Sequence, residues 1–179
     1  YRQLQLLVGT HYGVSWVDQY NPTDTQPPNP NASPTSTASL LVGPAILQPG
    51  EHPFPHKYPT KRPSLRIEPS IYLDALMRDF IMFGGRIVIR KFDTPSDLMS
   101  IDEGLIINCT GLGSRTLFGD EELIPLKGQL TVLVPQSETS YSTNGGARST
   151  DNRPGGGGFV HMMPRTDGIV LGGTSQRGI

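Results

Sequence analysis

The run Asn108-Cys109-Thr110-Gly111-Leu112-Gly113-Ser114 has the residue types and spacing best suited to chemistry. It closes an apolar segment, residues 105–110, that reads as a strand buried on both faces, and its small residues would let backbone amides come close to a ligand. Strand ends of this kind are where open α/β sheets hold cofactors. The run has Gly111-x-Gly113 but not the third glycine of a dinucleotide fingerprint, so on spacing alone it reads first as a strand ended by a glycine turn.

Other reactive residue types are less well placed. His52 and His56 have the four-residue spacing of helical metal ligands, yet Pro53 and Pro55 between them forbid the helix and no third ligand is evident, so no metal site is expected. No Gly-x-Ser-x-Gly elbow occurs, which removes support for a hydrolase triad. Cys109, inside the apolar segment, reads as a packed thiol rather than a nucleophile. His161, taken by itself, reads as a strand histidine satisfied by a neighbour.

The elements that would carry these residues follow from periodicity and punctuation. Residues 4–8 and 12–17 read as strands around a turn at Gly9-Thr10-His11. Residues 21–39 are nearly all polar or Pro and are expected to be a flexible loop; a second Pro-rich stretch, 48–62, should be extended over the surface. Residues 65–68 alternate like a half-buried strand, and Pro69 is a favoured first helical residue. Tyr72, Leu73, Leu76, Phe80 and Phe83 then recur every three or four positions, predicting a helix with one apolar face that Gly84-Gly85 ends.

After that helix, residues 86–90 read as a strand beside 65–68, and Thr94-Pro95-Ser96-Asp97 as a capped helical turn. Residues 128–134 form an alternating strand. The polar, Gly-rich stretch 136–158 is expected to be a flexible loop, either a lid or disordered, and residues 159–163 and 169–172 form a hairpin around Asp167-Gly168. The implied class is α+β: a mixed, largely antiparallel sheet with one main helix and long Pro/Gly-rich loops.

Composition agrees with a single domain that carries long loops. In 179 residues there are 21 Gly and 17 Pro, and the hydrophobic share is 35%. Fifteen Lys and Arg against 16 Asp and Glu leave a formal charge of −1, which argues against nucleic acid and anionic membranes as partners. With Cys109 the only cysteine, no internal disulfide can form. No apolar run approaches the roughly 20 residues of a membrane span, and the start lacks the regions of a signal peptide. The expectation is a soluble, intracellular protein, cytoplasmic or, if eukaryotic, peroxisomal.

The order of several motifs adds what no one of them gives. Tyr72-Leu73 in a helix, Gly84-Gly85, Ile107-Asn108-Cys109-Thr110-Gly111, Pro125-Leu126-Lys127-Gly128-Gln129, and Met163-Pro164 followed by Leu171-Gly172-Gly173 together resemble the D-amino-acid oxidase family. The likeness runs from about residue 65 to 173 and is weaker at 6–16. It implies a two-domain FAD enzyme that oxidises an amino acid or related amine by hydride transfer to flavin, with residues 1–179 being a substrate-domain fragment. Thr110 and Gly111 match the turn that meets the FAD nucleotide portion, and Phe92 a position whose backbone meets its adenine end. His161 falls where members place a substrate-facing tyrosine that helps hold the carboxylate, a departure from the family pattern.

The N-terminal Gly-x-Gly-x-x-Gly and the C-terminal FAD-binding segments are not in this sequence. The expectation is that the fragment by itself is inactive and does not retain FAD, its partners being an amino acid or amine substrate and the FAD-binding segments of the parent chain. The alternative from another class is a non-catalytic protein-binding module using its Pro-rich surface segments, although these lack a basic-flanked Pro-x-x-Pro pattern. A nicotinamide-dependent Rossmann enzyme would need the missing fingerprint.

Overall fold

In a computed structural model of the chain, residues 1–24, 26, 43–145, 160–174 and 176–178 are described. Seven strands form one sheet: β1 (Val14–Asn21), β2 (Ala45–Ile46), β3 (Thr60–Ile67), β5 (Leu130–Leu133), β6 (Tyr141–Asn144), β7 (His161–Arg165) and β8 (Gly168–Gly172). Their order is β2-β3-β1-β6-β7-β8-β5. Every neighbouring pair is antiparallel except β1 with β6. A separate two-stranded ribbon pairs β4 (Leu126–Lys127) with β9 (Gln176–Arg177). The mixed, mostly antiparallel sheet and single long helix are those expected from the sequence.

That helix, α2 (Pro69–Met82), has Pro69 in its first turn. It ends where the Gly84 amide reaches the Ile81 carbonyl and the Gly85 amide that of Phe80, a Schellman cap that requires the positive φ of +89° at Gly84. The Phe80 ring then lies so close over Gly85 that a Cβ there would sit 2.5 Å from it. The helix start is tied to the sheet by an amide hydrogen bond from Glu68 to the Gly13 carbonyl. Further along, the Tyr12 hydroxyl hydrogen-bonds Asp79, and the Tyr12 and Tyr72 rings touch.

The Asp79 hydrogen bond holds the Tyr12 phenol above its ordinary pKa, because the phenolate would face a carboxylate. Buried apolar side chains cluster on the sheet and its flanks: Val14, Val17, Ile169 and Val170 from strands, Ala75 from α2, and Leu117 from α3 (Gly113–Phe118).

Several expectations are corrected. Residues 2–5 form a short helix, α1 (Arg2–Gln5), rather than the start of a strand at 4. The stretch 86–90 is not a strand beside β3: Arg62, Ser64 and Arg66 face β1 instead, whose eight residues pair with all eight of β3. Ile89 is fully exposed, and Arg90 hydrogen-bonds Ser100. The stretch 105–110 is likewise neither a strand nor buried. Leu105 and Ile107 are about four-fifths exposed, and Cys109 is exposed rather than packed.

The physical reason is the same for both stretches: apolar residues favour a strand only where a sheet edge can satisfy their backbone groups. Among the described residues, neither stretch pairs with a strand, although the sheet itself ends on β2 and β5. For the same reason the predicted apolar face of α2 is largely open, with Leu73 61% and Phe83 90% exposed. The loop expected at 136–158 contains β6, whose Ser and Thr residues pair with β1 and β7. The loop expected at 21–39 begins on the last residue of β1, and most of both loops lies outside the described residues.

The hairpin of β7 and β8 forms, its first strand running two residues past the expected end at 163, with Arg165 opposite Gly168. A Cβ at Gly168 would meet the Leu133 carbonyl oxygen at 2.6 Å, so only glycine lets β8 lie this close to β5. The capped turn also forms. Asp97 accepts hydrogen bonds from the Asp93 and Thr94 amides, both 2.9 Å, in a short 3-10 segment, Pro95–Ser100. No helix among the described residues is long and apolar enough to cross a membrane.

Candidate functional site

Strand registers decide which side chains share a face, because alternate residues point to opposite sides of a sheet. Ser15 lies opposite Arg66, Val17 opposite Ser64, Gln19 opposite Arg62 and Asn21 opposite Thr60. Gln19 is beside Ser142, Asn144 opposite His161, and His161 opposite Gly172, which in turn faces Leu130. One face therefore carries Ser15, Gln19, Asn21, Thr60, Arg62, Ser64, Arg66, Ser142, Asn144, His161 and Arg165 around the apolar Val17, Leu130, Val132, Met163 and Val170, a mostly polar surface with three guanidinium groups and an imidazole. The other face carries Val14, Trp16, Leu65, Ile67, Ile169 and Leu171 and is mostly apolar, with Thr131, Thr143 and the Asp18–Lys61 ion pair at 2.8 Å among its polar groups.

Two recesses open on the polar face. One, of about 120 Å³, is walled by Val17, Ser64, Arg66, Met163 and Arg165 among others. The second, of about 230 Å³, is walled by Gln19, Asn21, Pro44, Thr60, Arg62 and Asn144. Arg66 is engaged: its Nε lies 3.2 Å from Ser15 Oγ and 3.3 Å from the buried Glu68 carboxylate, and another nitrogen reaches the Pro164 carbonyl. Arg62 directs two nitrogens to a single acceptor, Gln19 Oε1, at 2.9 and 2.8 Å.

His161 stands next to these recesses, half-buried on β7. Its ring covers Gly172 so closely that a Cβ added there would lie 2.5 Å from Nε2 and 2.6 Å from Cε1. The imidazole can donate or accept according to tautomer, and when protonated donates from both nitrogens, which suits a carboxylate.

The small-residue tip is a separate cluster. Asn108 Oδ1 accepts from the Thr110 amide at 3.1 Å and from Thr110 Oγ1 at 2.8 Å, while its Nδ2 donates to Ser114 Oγ at 2.8 Å. Asn108 thus folds the chain into a side-chain-supported turn instead of extending a strand. Gly111 is at φ +55° with no atom within 4 Å of where a Cβ would stand. This open, left-handed glycine leaves the backbone at the tip approachable, the arrangement a nucleotide-bearing cofactor needs, so the residues present fit such a group.

Phe92 is half-buried on a third segment, with the Arg90 guanidinium 5.1 Å from its ring centroid. Asp97, five residues later, pins the Thr94 and Asp93 amides, and these hydrogen bonds hold its carboxyl below the usual carboxylate range. The structure therefore groups His161 with Gly172 and Asn144, Thr110 with Gly111, and Phe92 with Arg90. The hydrogen bonds of the 108–114 cluster close within it, apart from the sheet face. Sequence reasoning missed Arg62, Gln19 and Asn144. The polar residues Arg62, Ser64 and Arg66 at every second position were the available sign.

Among the described residues no group of three or more His, Cys, Asp and Glu could hold a metal. His52 instead stacks on Phe54, and His56 pairs with Asp24 at 3.1 Å. The Pro-rich stretch is tied down: the Lys57 amide donates to Asp24, the Tyr58 amide to Thr23, and Pro59 is fully buried.

Residues 61–178 match the model of a family described as FAD dependent oxidoreductase. A D-amino-acid oxidase of Dictyostelium discoideum is 31% identical over 110 residues, covering 62% of this chain and 28% of that protein. A D-aspartate oxidase of Homo sapiens is 32% identical over 117 residues, 64% of this chain and 30% of its own length. A D-amino acid oxidase of Dugesia ryukyuensis is 30% identical over 122 residues, 67% and 33% respectively. The chain spans about a third of the length of these curated relatives.

Proposed function

The chain belongs to the FAD dependent oxidoreductase family that includes the D-amino-acid oxidases, and from that premise we propose that the protein carrying it oxidises an amino acid or related amine. FAD, when bound, supplies the hydride acceptor for the carbon that bears the amine. This chain supplies the substrate-facing sheet and part of the flavin contact. The observation that carries the reading is the pairing of a polar, cation-bearing sheet face with an open glycine tip.

On the sheet face, His161 holds the substrate carboxylate through an N–H donor, the place where relatives have a tyrosine by the resemblance stated above. The Gly172 gap fixes the ring. At the tip, Thr110 and Gly111 offer the flavin nucleotide an unobstructed backbone, and Phe92 a backbone contact at its adenine end. The exposed apolar residues at 87–89 and 105–107 are then the surface on which other FAD-binding segments of the polypeptide pack. Without that packing, residues 1–179 alone hold FAD weakly and do not turn over. The protein works inside the cell, in the cytoplasm or, if eukaryotic, the peroxisome, where the Cys109 thiol stays reduced.

Anaerobic mixing of the whole protein with a panel of D- and L-amino acids tests this. Loss of the oxidised-flavin absorbance with at least one of them is the expected result, and His161→Ala should raise the concentration needed for half-maximal bleaching at least tenfold. A protein purified without flavin, and unable to take it up, would remove the proposal.

A further inference from the structure

The recess of about 230 Å³ between β1, β3 and β6 has one cation, Arg62, among neutral polar groups from Gln19, Asn21, Thr60 and Asn144. The Gln19 amide oxygen occupies Nε and one terminal nitrogen of that guanidinium, at 2.9 and 2.8 Å. Its charge is unmet: no carboxylate lies at ion-pair distance from Arg62 among the described residues, in contrast to Arg66, which has Glu68, and Lys61, which has Asp18 on the opposite face. A half-buried, oriented guanidinium whose remaining nitrogen is unengaged is a receptor for a planar anion.

We infer that this recess takes the side-chain carboxylate of an acidic amino acid, making Arg62 the residue that selects a dicarboxylic substrate. The inference rests on the oxidase reading of the previous subsection. A single positive charge with neutral neighbours matches one carboxylate better than a doubly charged phosphate. The volume is below the roughly 300–1,000 Å³ of drug-sized pockets, which suits one end of a small molecule.

The position follows from register. Asn144, a wall of the recess, is directly opposite His161, the residue assigned to the substrate's other carboxylate. The Arg62 guanidinium is drawn toward Gln19 on β1, two strand spacings from β7, or about 10 Å. A short dicarboxylic amino acid can reach from the Arg62 guanidinium to the His161 ring across that gap.

Two measurements on the whole protein test this. The first is calorimetric binding of succinate and of butyrate, which has the same carbon count but one carboxylate. Succinate should bind at least tenfold more tightly, and Arg62→Gln should lower that ratio at least tenfold, with partial recovery in Arg62→Lys. The second is kcat/KM for acidic against neutral amino acids, whose ratio should fall at least tenfold in Arg62→Gln. Thermal unfolding identifies a misfolded variant, in which case Arg62→Lys and Gln19→Leu serve in its place. If oxidation of every amino acid fails, the oxidase reading falls, yet Arg62-dependent preference for succinate upholds the recess. Equal binding of succinate and butyrate, or equal losses on acidic and neutral substrates, overturns it.

Discussion

Substituting Gly172 with alanine isolates the packing that sets His161. The backbone of Gly172 lies outside the left-handed region, so an alanine suffers no conformational penalty there; only space is at issue. The new methyl would stand 2.5 Å from His161 Nε2 and 2.5 Å from Leu130 Cδ2, well inside contact distance. Leu130 is 44% exposed and can swing away, whereas the half-buried imidazole must leave its position. Overpacking of this kind costs about 1–3 kcal/mol.

In His161→Ala the obstruction is gone, so at least half of that cost should vanish, a coupling of about 1 kcal/mol in a double-mutant cycle. Urea unfolding of the four proteins gives the cycle. Bleaching of flavin by substrate should weaken in Gly172→Ala nearly as much as in His161→Ala, and the double variant should be no worse than the latter. Additivity within about 0.5 kcal/mol would refute the claim that Gly172 exists to seat the imidazole.

Other expectations concern stability and pH. Ile169→Ala, at a side chain only 3% exposed, should cost about 2–5 kcal/mol in denaturant unfolding. Asp97 has a folded pKa below its unfolded value of about 3.9, so its contribution is present above that value and lost as pH falls through the folded pKa. Hydrogen exchange at the Asp93 and Thr94 amides should therefore lose protection only in acid, and at all pH values in Asp97→Ala. Tyr12, with a raised pKa, contributes below about pH 10 and loses that contribution as pH rises through its folded value. Its phenolate absorbance should appear above the ordinary tyrosine range, and Tyr12→Phe should remove that step.

What the sequence reveals depends on whether a local signal is sufficient. The helix α2 was legible because Pro69, the three-and-four spacing and Gly84-Gly85 are all local, and the β7–β8 hairpin because its turn lies between two alternating runs. The stretches 86–90 and 105–110 were misread because apolar character indicates a tendency to be covered without naming the partner. Asn108 at the end of the second run was the contrary sign, an amide able to hold Thr110 and Ser114 in a turn.

Strand β6 was missed for the opposite reason. Tyr141, Ser142, Thr143 and Asn144 show no apolar alternation, and their pairing with β1 joins residues more than 120 positions apart. The residues of the candidate site divide the same way. His161, Thr110 and Gly111 were found through motif order, while Arg62, Gln19 and Asn144 meet only through registers of three strands.

A matched pair of substitutions in the whole protein measures whether the Gly111 tip lies against the flavin nucleotide. Gly111, at φ +55°, and Gly119, at φ +66°, both have open space at the Cβ position, so alanine imposes similar backbone strain at each. Flavin dissociation constants from fluorescence titration should rise at least tenfold in Gly111→Ala, a loss of about 1.4 kcal/mol, and stay within about twofold of the parent in Gly119→Ala. Equal flavin affinity in the two variants would contradict the placement of the nucleotide at this tip.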